Sequence, residues 1–248
     1  MKVLILTNEV GGGHNSTAKA IREQLAGYGA ICRILDTYKY INPVLYKTLS
    51  KSYLISTSLM PSMYGGIYHL AEIEDEKHSK SQAAKVSNSI LALKLKKYFA
   101  EEFNPDIIIC THVLSAQIIN VMKEKGQLNS YTIGIITDYT IHPYWRKLDY
   151  LDDFVIASEL LIHQAITKGI PRDKLLPFGI PIHPKFLHAI DKKEARLSIG
   201  VDPNSFTVLL MSGSMGYGNI VRIIKKLDNV SRDFQIIAVC GNNKRAKR

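Results

Sequence analysis

Lys2-Val3-Leu4-Ile5-Leu6-Thr7-Asn8-Glu9-Val10-Gly11-Gly12-Gly13-His14 is the stretch on which the fold turns. Residues Lys2 to Thr7 read as a buried strand, and Gly11-Gly12-Gly13 as a tight turn. Asn15 or Ser16 is placed to cap the helix that follows, with Ala18, Ile21 and Leu25 along its inner face. Gly27 and Gly29 end that helix, and Ile31 to Leu35 form a second strand closed by Asp36. A strand, a glycine turn, a helix and a strand open a parallel α/β sheet.

Outward from this unit the alternation pauses and then resumes. Val86, Ile90 and Leu93 mark a helix, followed by a strand over Asp106 to Cys110. Val113 to Lys123 suit a helix, Tyr131 to Thr137 a buried strand, and Phe154 to Ala157 a short one. A helix over Glu159 to Lys168 is stopped by Gly169, and a short strand lies near Leu175 to Phe178. Gly179-Ile180-Pro181 and Pro184 read as a linker. A second unit then begins, with strands at Thr207 to Met211 and Phe234 to Cys240 around a helix over Ile220 to Leu227. One such unit cannot cover both faces of a parallel sheet, so the second domain is expected to be only begun.

The interruption, from Thr37 to Ala71, has its own composition. It holds Lys39, Lys47 and Lys51, six tyrosines and no Asp or Glu, with Leu45, Leu49, Leu54 and Leu59 among them. Lysines and aromatics interleaved with leucine suit a segment resting at a membrane interface, as they suit an amphipathic helix packed on its own core. Lys and Arg outnumber Asp and Glu by 32 to 22, a net +10 that points to a polyanionic partner. No run approaches the ~20 apolar residues that span a bilayer, and the N-terminus lacks the flanks of a signal peptide. The expectation is a cytoplasmic chain. Cys32, Cys110 and Cys240 are far apart and read as buried free thiols, and the eight histidines lack ligand spacing, so no metal is expected.

The chemistry gathers at strand ends. Gly12 and Gly13 permit close backbone approach at the carboxyl end of the first strand, where open α/β sheets bind ligands. His14 sits beside a helix N-terminus that disfavours its charged form, which suits a general base for a hydroxyl. A dinucleotide fingerprint fails, because Ser16 stands where its third glycine belongs. Thr111, His112 and Ser115 follow one strand, and Thr137 and Asp138 end another. His142-Pro143-Tyr144-Trp145 comes next, with the single tryptophan predicted to lie against a sugar ring or a lipid. The loop Gly213-Ser214-Met215-Gly216 joins a strand to a helix and offers N–H groups to a diphosphate, without the G-K-[ST] of a P-loop. No RNA- or DNA-binding motif appears, and nucleic acid is not an expected partner.

Taken in this order, Thr7 to His14, Thr137-Asp138-Tyr139 with His142 to Trp145, and Gly179-Ile180-Pro181-Ile182 with Phe186 resemble the monogalactosyldiacylglycerol synthases. They equally resemble the processive diacylglycerol glucosyltransferases of the same family. Gly213 to Gly216 and Val239-Cys240-Gly241-Asn242 look like the start of that family's second domain.

The resemblance implies a GT-B fold of two Rossmann-like domains. Residues 1–185 would be the complete acceptor and membrane-side domain, and 186–248 the opening of the nucleotide-sugar domain. It implies metal-independent, inverting transfer of a hexose from a UDP-sugar to the hydroxyl of diacylglycerol, at the inner face of the cell membrane and without a cofactor. His14 would be the base. Gly12, Gly13, Asp138, His142 and Trp145 would shape the acceptor side, and Gly213, Ser214, Met215 and Gly216 would face the diphosphate. Because the donor half is only begun, the chain is expected to be C-terminally truncated and to transfer little alone. The alternatives are a non-catalytic membrane-surface module and a transferase acting on a polyprenyl-linked cell-wall intermediate.

Overall fold

In the computed structural model the run Val3 to Leu6 is wholly buried, as the centre of a sheet requires. The structure describes residues 1–8, 12–41, 92–213, 216, 219–244, 246 and 247. These divide into two compact units, Met1–Pro184 and Lys185–Arg248.

The first unit is built on a six-stranded sheet of β1 (Lys2–Thr7), β2 (Ile31–Asp36), β3 (Ile107–Cys110), β4 (Tyr131–Ile135), β5 (Asp153–Val155) and β6 (Leu175–Leu176). Every pairing is parallel, in the order β2-β1-β3-β4-β5-β6. Side chains alternate across it. Leu4, Leu6, Ile108 and Cys110 enter one core, while Val3, Ile5, Ile109, Ile135 and Val155 enter the other. Near-continuous apolar strands such as Ile107–Cys110 follow from burial on both faces.

Helices supply those two coverings. α1 (Gly12–Gly27) lays Ala18, Ile21 and Leu25 on the Val3 and Ile5 face. On the other face lie α2 (Thr37–Ile41), α3 (residues 92–101) and α4 (Val113–Glu124), through Ile41, Leu95, Phe99, Ile118, Ile119 and Met122. α5 (Ile162–Thr167) adds Ala165 to the same core. After β1 the chain goes to one neighbour, β2, and later returns on the other side as β3. That reversal parts the connections leaving β1 and β3, and open α/β sheets bind ligands outside the carboxyl ends at such a point.

Several local expectations are corrected. α1 starts at Gly12, so Asn15 and Ser16 lie inside its first turn rather than at its cap. Leu93 points outward at 62% exposure, and Leu95, Tyr98 and Phe99 carry the inner face of α3. The helix expected over Glu159 to Lys168 is a 3-10 turn, Glu159–Leu161, capped by the Ser158 hydroxyl, which accepts the Leu160 N–H, and leading into α5. Of the interfacial stretch, residues 42–71 lie outside the described residues. Its first turn packs inward, with Tyr40 edge-on to Tyr98 at 5.3 Å and Ile41 buried. Val86 and Ile90 also lie outside the described residues.

The second unit holds α6 (Lys192–Ser198), β7 (Thr207–Met211), α7 (Ile220–Leu227) and β8 (Gln235–Val239), with β7 and β8 parallel. α6 was not foreseen. Its signal was present in Asp191, whose carboxylate accepts the N–H groups of Lys193 and Glu194, with Glu194 at capping-box spacing.

Candidate active site

The carboxyl ends of β1, β3 and β4 bring together His14, Thr111, His112, Thr137 and Asp138. Pairing of β1 with β3 runs one residue beyond the strand, through Thr111 N–H to the Leu6 carbonyl at 3.0 Å. The Thr111 hydroxyl meets that of Thr7 at 3.0 Å, so both strand ends are tied where the chain leaves the sheet. Thr7, Asn8 and Thr111 are all buried there.

Into this corner α1 delivers His14. Its Nδ1 lies 2.7 Å from the Thr111 carbonyl oxygen and 3.0 Å from the Thr137 hydroxyl. A carbonyl oxygen only accepts, so Nδ1 carries the proton and Nε2 keeps the lone pair. Burial pushes the His14 pKa below 6.5, opposed by the bond to the Thr111 carbonyl and by the charge of Asp138. The result is a neutral imidazole with a defined basic nitrogen, as general-base chemistry at neutral pH needs.

His112, just after Thr111, stands against it. The two rings are edge to face with centroids 4.6 Å apart. His112 is the N-cap of α4, and its Nδ1 accepts the Leu114 N–H at 3.2 Å. Burial, with His14 and His142 nearby, pulls its pKa down to about 3. The sequence set His112 with Thr111 and Ser115 after a strand but gave it no role; the further signal was its cap position before the apolar helix Val113–Glu124.

The other expected residues divide. Gly12 and Gly13 form the first turn of α1, and a Cβ at Gly13 would meet nothing within 4 Å. Asp138 is exposed at the end of β4, where its charge acts on His14. His142 caps the 3-10 turn Pro143–Trp145 by accepting the Tyr144 N–H at 3.2 Å. Trp145 is a correction. It is 3% exposed and stands edge-on to Phe154, with Cζ3 over Gly134, so it is a core residue rather than a surface for sugar or lipid. The 3-10 turn rolls the ring inward because Gly134 leaves room for it. Asp36, at the end of β2, accepts the Lys39 N–H and caps α2.

In the second unit Gly213 and Gly216 bracket a turn closed by Gly216 N–H to the Gly213 carbonyl at 3.2 Å. Ser214 and Met215 lie outside the described residues. Gly216 has φ +69°, and a Cβ there would sit 2.1 Å from the Cys240 carbonyl oxygen. Only glycine fits. The Asn243 amide reaches the Gly216 carbonyl at 2.9 Å, so this loop and the loop after β8 lock together. Among the described residues no three His, Cys, Asp or Glu side chains are grouped as around a metal ion, and no helix is long and apolar enough to cross a membrane.

Residues 14–182 match the family model described as monogalactosyldiacylglycerol (MGDG) synthase. An uncharacterized glycosyltransferase of Bacillus subtilis, YkoN, is 27% identical over 235 residues, covering 94% of this chain and 59% of its own. A processive diacylglycerol beta-glucosyltransferase of Staphylococcus saprophyticus is 27% identical over 251 residues, covering 100% and 61%. The chain thus spans about six tenths of the length of these curated relatives. Among solved structures, Anabaena Alr3699/HepE in complex with UDP and glucose superposes with TM-score 0.53 at 12% identity, over 96% of this chain and 60% of that one. A Rickettsia africae glycosyltransferase does so with TM-score 0.53 at 16% identity, over 98% and 61%. At such identities the structural likeness speaks to the fold, which is of GT-B type.

Proposed function

The chain belongs to the monogalactosyldiacylglycerol synthase family, and from that premise we propose that it is the acceptor-side part of a glycosyltransferase moving a hexose from a UDP-sugar to the hydroxyl of diacylglycerol. The observation that carries this reading is His14, whose Nδ1 is committed to the Thr111 carbonyl while Nε2 keeps its lone pair. Such a base accepts the proton of the acceptor hydroxyl as its oxygen attacks the anomeric carbon. The bond from that carbon to the UDP oxygen breaks, UDP leaves with the electron pair, and the configuration inverts. Asp138, whose charge favours protonated His14, steadies the imidazolium formed in that step. Gly12 and Gly13 would leave room for the acceptor, and His142 would stand on its side of the site. Residues Gly213 to Gly216 would present N–H groups to the leaving diphosphate. No step needs a metal or a resident cofactor.

The acceptor is a membrane lipid, so the enzyme would work at the cytoplasmic face of the membrane as a peripheral protein, aided by its net charge of +10. The Staphylococcus relative's name supplies the acceptor class.

The test is a single polypeptide in which residues 1–248 replace the matching part of the Staphylococcus saprophyticus relative. Given labelled UDP-glucose or UDP-galactose and diacylglycerol vesicles, it is expected to yield labelled glycolipid. A folded chimera that labels no diacylglycerol would sink the proposal.

A further inference from the structure

The ring that touches His14 is itself held unusually firmly. His112 follows Thr111, whose carbonyl takes the His14 Nδ1–H, so two consecutive residues contact the same imidazole, one through backbone and one through side chain. Thr111 is fixed by its N–H to Leu6 and its hydroxyl to Thr7. His112 is fixed by the Leu114 N–H on its Nδ1, which leaves that nitrogen no proton to share. The His112 ring is therefore a neutral wall set by the end of β3 and the start of α4, while His14 arrives from α1 on the opposite face of the sheet.

We infer that His112 is a positioning residue for His14, holding the imidazole edge-on so that Nδ1 stays on the Thr111 carbonyl and Nε2 remains the basic nitrogen. The inference rests on the reading of His14 as the base and adds a residue to that site. The charged and titratable groups facing the pair are Asp138 toward His14, and His142 toward His112. Without the His112 ring, water reaches His14, burial weakens, and exchange with that water moves the proton between Nδ1 and Nε2.

Long-range proton–nitrogen NMR of the histidine rings in the 248-residue chain reads this directly. In the wild type, His14 is expected as the Nδ1–H tautomer with a pKa below 6.5; an Nε2–H tautomer there would overturn the inference without any variant. His112→Asn keeps the cap, since Asn is among the best N-cap residues. It is expected to raise the His14 pKa toward 6.5 and mix the tautomers. His112→Phe restores an aromatic edge without the cap and should return both toward wild type. Unchanged His14 in His112→Asn, or equal displacement in both variants, overturns the proposal. In the chimera His112→Asn should lower kcat by up to about 10²-fold, the scale of a small misplacement, with KM for the UDP-sugar unchanged. A chimera that transfers nothing refutes the proposed function, while the NMR titration still decides the role of His112.

Discussion

His14 and His112 are both histidines at helix starts, and their environments part them. His14 keeps a basic Nε2, and removing it with His14→Ala in the active chimera should cost ~10²–10⁴-fold in turnover, the usual weight of a general base. Because burial holds its pKa below 6.5, the acid limb of kcat/KM should also fall below 6.5; a limb at or above that value would remove His14 from the role. His112 makes a stability prediction. Its folded pKa of about 3 lies below the 6.5 of the unfolded chain, so the unfolded state binds the extra proton between these values. Stability is therefore lost as pH falls from about 6.5 toward 3. His112→Asn, which cannot titrate, should show a smaller loss between pH 7 and 4 in denaturant titrations. At this scale His14 was legible because a glycine run ended at it beside a strand. His112 was legible only as a polar residue after a strand, because its place against His14 comes from the ring it meets across the sheet.

Among the elements, the corner of β4, β5 and the 3-10 turn Pro143–Trp145 most clearly separates packing from chemistry. A Cβ on Gly134 would lie 2.8 Å from Trp145 Cζ3 and 3.1 Å from Phe154 Cδ1. Trp145→Ala should destabilise the first unit by about 3–5 kcal/mol, as for other buried aromatic truncations. Gly134→Ala should cost about 1–3 kcal/mol by overpacking. Neither should alter KM for the lipid acceptor once the protein is folded; a raised KM at unchanged melting temperature would return Trp145 to the acceptor surface. Strand positions read well, because apolar runs such as Val3 to Leu6 admit little else. The start of α1 and the orientation of Leu93 read poorly, because caps and helix faces are set by neighbours distant in sequence.

At the scale of the molecule, net charge is a property of composition alone. If the +10 excess serves a lipid surface, the chain should sediment with anionic vesicles and not with zwitterionic ones. Binding should weaken between about 0.05 and 0.5 M salt, as the Debye length shortens. Salt-insensitive binding to both would point instead to apolar contact. The second unit shows a different whole-chain feature. Its parallel pair β7–β8 leaves Leu209 and Met211 more than half exposed, whereas β1 and β3 are covered on both faces.

By itself the amino-acid order determined the strand–helix alternation, the parallel sheet and the glycine run that leads into His14. Each of these is written in contiguous residues, by apolar runs, glycines and caps. The tertiary structure alone decided that Trp145 is core and that His112 braces His14. It alone decided that the Thr111 carbonyl selects the tautomer. The His14–Thr111 bond joins a side chain to a backbone carbonyl 97 residues away, brought together when β1 and β3 pair and their helices leave on opposite faces.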